Sequence, residues 1–137
     1  MTCHIFGQGA ERRRWREQAV ASIEQLMRAT LLEVFNERDG ELRRAAISRT
    51  YTPDVRFSDP DEVVEGHSAL DVKAGKILDG APGFVFTAAG PVRVNHDLGY
   101  LEWGFGPQGQ PSVVRGSDIA LVVDGLIARL YTFLLTD

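Results

Sequence analysis

An acid in the middle of an apolar strand is the most unusual chemical feature of this sequence. Asp118 lies within SVVRGSDIALVV, and strand alternation puts it on one face with Val114, Gly116, Ala120 and Val122. Both faces of this segment are mostly apolar, so we expect Asp118 to be at least partly buried. Because an unpaired carboxylate is costly to bury, Asp118 should be hydrogen-bonded, paired with an arginine, or protonated with a raised pKa. A backbone amide or an arginine would satisfy it without any function, whereas the small neighbours Gly116 and Ala120 would leave room for a ligand.

Asp59 has the same character at the end of another predicted strand. It follows Val55 and Phe57 at alternate positions in VRFSDP, so the three side chains share one face. A carboxyl group that points inward from that face could act as a general acid or base. The alternative is that Asp59 caps the Asp-Pro turn, or the helix after it, through local backbone hydrogen bonds.

Trp103 is the third residue that could belong to a site. It alternates with Leu101 and Phe105 in YLEWGF, so it either fills the core or forms the aromatic wall of a pocket. Metal binding is not indicated, because the 3 histidines show no HxH or HxxxH spacing and no cysteine pairs with them. The chain also has no glycine-rich phosphate loop and no GxSxG nucleophile elbow. The residues therefore imply neither a metal nor a cofactor.

Composition argues against several functional classes. With 15 Lys and Arg against 19 Asp and Glu, the net charge of -4 provides no basic field for a nucleic acid. The apolar runs are far shorter than the roughly 20 residues that cross a bilayer, so we expect no membrane span. The RRRWR run fits a solvated helix face better than a targeting signal, because acidic residues follow where an apolar segment should be. A single cysteine, Cys3, permits no internal disulfide, and a cytoplasmic location is the expectation.

A change of periodicity along the chain predicts the elements that must hold these side chains. Three-to-four spacing predicts three helices, which run from Trp15 to Phe35, from an Asp39 cap to Thr50, and from a Ser68 cap to Gly80. A strand from Val55 to Asp59 separates the second helix from the third. From Phe84 onward, alternation predicts four or five antiparallel strands, and Asp124-Gly125 is a strong hairpin signal.

This order of elements predicts an α+β fold in which three N-terminal helices pack on a strongly curved antiparallel sheet. An antiparallel sheet must bury its apolar face, and the helices that precede it are the elements available to cover that face. A curved sheet wrapped on helices leaves a cone-shaped α+β barrel. We expect residues 11–137 to form this single domain and residues 1–10 to be a flexible tail.

Several short motifs, taken in order, resemble one known family. They are a tyrosine and Pro-Asp before the first strand, Asp-Pro at its end, a glycine before the third helix, the tryptophan of YLEWGF, and GSD followed by DGLI. Over roughly residues 22–133 the chain resembles the SnoaL-like branch of the nuclear transport factor two superfamily. The resemblance implies a cone-shaped fold, a homodimer formed through the outer sheet face, and a pocket that opens at one end of the cone.

The resemblance also implies roles for particular residues. In ketosteroid isomerases, which are similar around the Asp-Pro turn, the catalytic base stands where Asp59 falls and a protonated acid stands where Asp118 falls. SnoaL-type polyketide cyclases use an aspartate as general acid and base, and Asp118 is the better match for it. On this basis Asp118 and Asp59 are the expected catalytic residues of a pocket for a small apolar or carbonyl-containing ligand. The residues expected to bind that ligand are Trp103, Tyr51, Leu31 and Ala120.

Departures from the family pattern keep two classes of function open. Leu31 and Ala74 fall where the isomerases carry phenol donors, and the loss of such donors argues against steroid isomerisation. Gly116 replaces the arginine of limonene-epoxide hydrolases, two residues before Asp118. The first class is a cofactor-free isomerase or cyclase that uses an aspartate as general acid and base. The second is a non-catalytic ligand-binding or dimerisation module of the same fold.

Overall fold

The structure, a computed structural model, describes residues 21–135. In that range three α-helices accompany a curved, open sheet of seven strands. The helices are α1 (Ile23–Ala29, continued by a π-helical turn at Thr30–Val34), α2 (Gly40–Thr50) and α3 (His67–Asp79). The strands are β1 (Tyr51–Ser58), β2 (Val63–Glu65), β3 (Phe84–Ala88), β4 (Arg93–Asn95), β5 (Leu98–Pro107), β6 (Val114–Val123) and β7 (Leu126–Leu134). The predicted class, three helices on a strongly curved sheet, is confirmed.

The sheet is mixed, whereas the sequence predicted a purely antiparallel one. Its strand order is β2-β1-β7-β6-β5-β3, with β4 also paired to β5. Strand β1 runs parallel to β7, and every other pairing is antiparallel. This parallel contact follows from topology, because α3 and the meander intervene between the two strands in sequence.

The first helix is shorter than its apolar stripe predicts. Ser22 has extended backbone angles and caps α1, since its side chain accepts from the Gln25 amide while the Gln25 side chain accepts from the Ser22 amide. The expected continuous helix from Trp15 to Phe35 is therefore interrupted at this cap. Trp15, the RRRWR run and the expected tail at residues 1–10 lie outside the described residues.

The cap predicted for the second helix is confirmed, and the cap predicted for the third is wrong. Asp39 accepts hydrogen bonds from the amides of Glu41 and Leu42 at 2.9 and 3.2 Å. Helix α3 instead begins directly after Gly66, which has a φ of 87° and supplies no side-chain cap. Glycine suits this position because the chain reverses from β2 into the helix there.

Two features of the strands were not predicted. Strand β1 begins at Tyr51, directly after α2, rather than at Val55. The short strand β2 was missed altogether, and it pairs with the end of β1, opposite Ser58 and its neighbours. Three residues are too few for a visible alternation, which is why the sequence suggested only a turn after Pro60.

The hairpin between β6 and β7 contains the predicted Asp124-Gly125 turn. It also contains a β-bulge, which determines which residue of β7 lies opposite Asp118. Both turn residues have positive φ, 52° and 82°, as a two-residue hairpin requires. The register shifts by one residue between Leu121 and Val122. Beyond this bulge Asp118 pairs with Thr132. Without the bulge, continuation of the register from the turn would bring Tyr131 opposite Asp118.

The edge strand β3 is held by the segment that joins α1 to α2. Asn36 donates to the Phe86 carbonyl at 3.1 Å and accepts from the Phe86 amide at 2.8 Å, as a neighbouring strand would. Arg38 donates to the carbonyls of Leu78, Ala81 and Phe84. These bonds fix the far edge of the sheet against the helices.

None of the helices in residues 21–135 is long and apolar enough to cross a membrane.

Candidate functional site

A cavity of about 200 Å³ lies between the helices and the concave face of the sheet. Its aromatic wall consists of Phe35, Phe57, Phe86, Trp103 and Phe105. Its polar side chains are Asp59, Asp61, Lys73, Asp118 and Thr132. Of the residues expected at a site from the sequence, the structure brings Asp59, Asp118, Trp103 and Leu31 to this cavity. Tyr51 and Ala120 do not line it.

Asp118 is buried and lies on the concave face in the middle of β6. Its exposed fraction is only 4%. Trp103 Nε1 donates to Asp118 Oδ1 at 3.0 Å, and Thr132 Oγ1 donates to the same oxygen at 2.7 Å. No described residue donates a side-chain hydrogen bond to Oδ2. One oxygen of the carboxylate is thus fixed by the protein, and the other is left for a molecule in the cavity.

Burial controls the charge state of Asp118. Desolvation raises the pKa of this carboxyl to about 6, although the hydrogen bonds from Thr132 and Trp103 lower it. Among residues 21–135 no arginine or lysine forms an ion pair with Asp118, and Arg49 pairs with Glu33 at 2.7 Å instead. Of the three outcomes expected from the sequence, the structure shows hydrogen bonding combined with a raised pKa.

The small residues beside Asp118, Gly116 and Ala120, do not leave room for a ligand as the sequence suggested. A side chain at position 116 would overlap the indole ring of Trp103, which lies across Gly116. Ala120 is fully buried in the core. The two small residues therefore do not leave space for a ligand, because Gly116 instead admits the tryptophan that donates to Asp118.

Asp59 caps the turn after β1, which was the alternative predicted for it from the sequence. It also lines the cavity. Its Oδ1 accepts from the amides of Asp61 and Glu62, both at 2.9 Å. Its Oδ2 lies 2.7 Å from Lys73 Nζ. Partial burial favours the neutral acid, but the hydrogen bonds from Lys73, Glu62 and Asp61 outweigh it and hold the pKa of Asp59 below its usual value. Asp59 is thus a paired carboxylate, in contrast to Asp118.

Tyr51 is a core residue next to the site rather than part of its lining. It is fully buried, and its hydroxyl hydrogen-bonds the hydroxyl of Thr30. Desolvation raises the pKa of this phenol, and the nearby charge of Asp118 contributes to the rise in spite of the bond to Thr30. Tyr51 therefore remains a neutral phenol at physiological pH.

Three polar residues of the cavity, Asp61, Lys73 and Thr132, were missed in the sequence. Thr132 could not be found, because only the bulge in the β6–β7 hairpin brings it opposite Asp118. Lys73 could have been identified from the sequence, because it lies three residues after Leu70 and four before Ile77, on the apolar stripe of α3. A lysine at such a position either snorkels to solvent or finds a buried partner.

The aromatic wall keeps the polar groups in an apolar environment. Phe86 stacks on Phe105 with ring centroids 4.1 Å apart and meets Trp103 edge to face at 5.2 Å. Phe35 packs against Phe57 on the helix side at 5.4 Å. An ionisable carboxyl with a pKa close to neutrality, in a small and mostly apolar cavity, is suited to proton transfer on a bound molecule. Among residues 21–135 no cluster of three or more metal-binding side chains is present.

Comparisons with known proteins agree with this architecture. A family model described as the SnoaL-like domain matches residues 29–130. A proposed isomerase of the SnoaL-like family from Agrobacterium tumefaciens has 22% sequence identity and a TM-score of 0.76, over 81% of this chain and 95% of that chain. A proposed ketosteroid isomerase from Kribbella flavida has 20% identity and a TM-score of 0.63, over 83% of this chain and 78% of that one.

A further solved structure extends the same comparison. A proposed SnoaL-like polyketide cyclase from Jannaschia sp. has 20% identity and a TM-score of 0.63, over 84% of this chain and 89% of that chain. At these identities the likeness to solved structures establishes the fold and not an activity. No curated protein matches the chain in sequence.

Removing the Thr132 donor should raise the pKa of Asp118 further. The hydrogen bond from Thr132 stabilises the carboxylate, so Thr132→Val should move the pKa upward from about 6, whereas Thr132→Ser should leave it nearly unchanged. The pH dependence of the Trp103 indole N–H resonance reports this titration, because that group donates to Asp118. A pKa that falls or stays constant in Thr132→Val would contradict the arrangement.

The raised pKa of Asp118 also predicts a pH-dependent stability. The folded state binds this proton more tightly than the unfolded chain does, so the contribution to stability is full below the usual aspartate pKa and is lost as pH rises through about 6. The difference in unfolding free energy, Asp118→Asn minus wild type, should therefore grow by about 2 kcal/mol between pH 4 and pH 8. Urea denaturation at both pH values measures it. Asp97→Asn, at an exposed turn, is the control, and an equal change in both variants would refute the prediction.

Proposed function

The chain belongs to the family of SnoaL-like domains, and we propose on that premise that its cavity catalyses a cofactor-free proton transfer on a small carbonyl compound, with Asp118 as the general base. The observation that carries this proposal is the environment of Asp118. Its carboxylate is buried in an apolar cavity, has no cationic partner among the described residues, and is fixed through Oδ1 alone. A buried group of this kind in a cavity is a candidate for catalysis.

The pKa of Asp118 suits the role of base. A carboxyl group with a pKa of about 6 is roughly nine-tenths ionised at pH 7, and its conjugate acid is still acidic enough to return the proton. In the proposed step Oδ2 removes a proton from the carbon next to the carbonyl group. The electron pair of the broken C–H bond forms the C=C bond of an enolate, and the carbonyl oxygen takes the negative charge. In a β,γ-unsaturated ketone, return of the proton to the γ carbon completes an isomerisation. In a molecule with a second carbonyl group, attack of the enolate carbon on that group forms a ring and an alkoxide, and return of the proton from Asp118 to the alkoxide completes a cyclisation.

Asp59 is the other carboxylate of the proposed site, and we assign it an orienting role. Its two oxygens are occupied by two backbone amides and by Lys73, and its pKa is held low. These contacts make it a weaker base than Asp118. Catalysis by Asp59, which the resemblance to ketosteroid isomerases implies, stays a prediction.

The size and lining of the cavity support a small ligand. Its volume, about 200 Å³, is below the roughly 300–1,000 Å³ of pockets for drug-sized molecules. Leu31, Trp103 and the phenylalanine wall would contact the apolar part of that ligand. We therefore propose a compact cyclic or branched ketone rather than a steroid.

A non-catalytic binding module is the second candidate, and one observation favours it. Leu31 lines the cavity where the related isomerases carry a phenol, so that hydrogen-bond donor for the carbonyl oxygen is missing. In this case the cavity would hold an apolar ligand without turning it over.

We also propose that the protein is a homodimer formed through the outer face of the sheet. Strand register aligns Tyr100, Ile119 and Tyr131 in one row across that face. Tyr131 and the next outward residue of β7, Phe133, are 37% and 53% exposed. An aromatic surface of this kind fits a self-complementary contact with a second copy of the chain.

The cytoplasmic location expected from the single Cys3 also stays a prediction.

Proton transfer by Asp118 predicts isotope exchange. The wild type should accelerate deuterium incorporation at the α carbon of a small cyclic ketone such as cyclopentanone in D₂O, with a rate that rises as pH increases through about 6. Asp118→Asn should lower this rate at least 100-fold, because the amide cannot accept the proton. NMR of the ketone measures the exchange, and circular dichroism verifies that the variant is folded.

The matched control for this assay is Asp97→Asn, which changes an exposed acid and should exchange at the wild-type rate. Wild-type activity in Asp118→Asn would refute the assignment of the base. Binding of ketones by the wild type without any exchange would favour the non-catalytic module.

If the protein is a dimer through the outer face of the sheet, charged residues introduced on that face should convert it to a monomer. The wild type should sediment as a dimer, and the double variant Tyr131→Glu with Phe133→Glu should sediment as a monomer, because four carboxylates would meet in one desolvated contact. Leu42→Glu, at a similarly exposed apolar position on α2, should remain dimeric. Sedimentation velocity distinguishes the species, and a monomeric wild type would exclude this interface.

A further inference from the structure

Lys73 is a buried cation in the wall of the cavity, and no step of the proposed proton transfer uses it. It lies on the face of α3 that packs towards the sheet, and only 8% of the residue is exposed. Its neighbours on that face, Leu70 and Ile77, are apolar, and Ile77 lines the cavity with it. Lysine is rarely buried to this extent unless its ammonium group has partners.

The partners of Lys73 are two carboxylates, of which Asp59 lines the cavity and Glu62 is exposed beside it. Nζ lies 2.7 Å from Asp59 Oδ2 and 3.0 Å from Glu62 Oε2. An ammonium group has three N–H donors, so these two contacts leave one donor without an acceptor among the described residues. Because Lys73 lines the cavity, a molecule bound there can supply that acceptor.

The two carboxylates keep Lys73 charged. Burial alone would lower its pKa, but the hydrogen bonds that Lys73 donates to Asp59 and Glu62 outweigh this effect and raise the pKa above its usual value. A lysine that stays protonated cannot act as an amine nucleophile at neutral pH. It can donate a hydrogen bond and stabilise negative charge on an oxygen.

We propose that Lys73 binds the carbonyl oxygen of the substrate and stabilises the negative charge that develops there, in place of the phenol donors that Leu31 and Ala74 have replaced. This inference rests on the proton transfer proposed for Asp118. When Asp118 Oδ2 removes the α-proton, the electron pair moves into the new C=C bond and the charge moves to the oxygen, which would accept the remaining N–H of Lys73. The pair of groups thus supplies the base and the oxyanion donor of one reaction.

The same geometry narrows the class of substrate. The ionisable side chains that line the cavity are Asp59, Asp61, Asp118 and Lys73, so carboxylates outnumber cations. A substrate carboxylate placed away from Lys73 would meet repulsion from these acids, whereas the carbonyl oxygen of a neutral ketone can accept the remaining N–H of Lys73. We infer a neutral substrate whose carbonyl oxygen reaches the Lys73 end of the cavity and whose acidic C–H faces Asp118.

The test uses 4-nitrophenol, a small ring whose oxygen becomes an anion, as an analogue of the enolate. Ionisation changes its absorption spectrum, so the pKa of the bound phenol can be measured directly by pH titration. Lys73→Met should raise the pKa of the bound phenol by at least one unit relative to wild type, which is a tenfold loss in the ratio of phenolate to phenol. Lys73→Arg should retain most of the wild-type value, because its charge is kept. Lys76→Met, on the exposed face of the same helix, is the matched control and should behave as wild type.

A second variant separates charge stabilisation from support of the turn. If Lys73 only anchored the loop at Asp59, then Asp59→Asn would reproduce the shift seen in Lys73→Met. The proposal predicts the opposite, since loss of a neighbouring carboxylate should leave the ammonium group more available and the pKa of the bound phenol equal to or below the wild-type value. An unchanged pKa in Lys73→Met, a matching rise in Asp59→Asn, or no binding of 4-nitrophenol by the wild type would each overturn the proposal.

Isotope exchange distinguishes this failure from failure of the proposed function. Lys73→Met should lower the rate of ketone exchange at least tenfold while the pH dependence set by Asp118 is kept. Exchange that is lost in Asp118→Asn but intact in Lys73→Met would overturn the role of Lys73 alone. A Lys73-dependent pKa of bound phenol, in a wild type that exchanges no ketone, would overturn the proton transfer and support Lys73 as a ligand-binding group.

Discussion

The need to solvate one buried carboxylate organises the concave face of this fold. Asp118 lies in the middle of a strand with apolar neighbours, and only 4% of the residue is exposed. Two donors replace water there, and each depends on a distinct feature of the sheet. Trp103 reaches the carboxylate because Gly116 has no side chain, and Thr132 reaches it because the β6–β7 hairpin contains a bulge. The glycine in β6 and the register shift in the β6–β7 hairpin therefore both serve to offset the cost of burying this carboxylate.

The two acids of the cavity show how environment sets chemistry. Asp118 receives only neutral donors, so desolvation dominates and its pKa rises towards neutrality. Asp59 receives backbone amides and a cation, so its charge is favoured despite partial burial. Acids with separated pKa values can take separate roles in one site. Here the separation favours Asp118 as the group that exchanges protons and Asp59 as the group that fixes a lysine, which differs from the roles that the resemblance to ketosteroid isomerases implies.

Much of the fold could be predicted because its signals are local. The Asp39 cap, the Asp124-Gly125 turn and the inward face of Asp118 depend on residues close in sequence, and all three are confirmed. The features that could not be predicted from the sequence depend on contacts between segments that are distant in the chain. The pairing of Thr132 with Asp118 required knowledge of a bulge, and the space over Gly116 required knowledge of the Trp103 side chain. Alternation along one strand reports which face a residue takes, but not what fills the space beside it.

The candidate site lacks the phenols of related isomerases, yet its charged groups lie on rigid elements. Asp118 is in the central part of the sheet, between β5 and β7, and Lys73 is in the middle turns of α3. The separation between these groups is set by packing of the helix on the sheet rather than by a loop. Electrostatic stabilisation is effective when dipoles and charges are fixed before reaction and water is excluded. A single anchored ammonium group in a small aromatic cavity would therefore stabilise a developing negative charge effectively, because its field acts in a low-dielectric space and it need not reorient as charge develops.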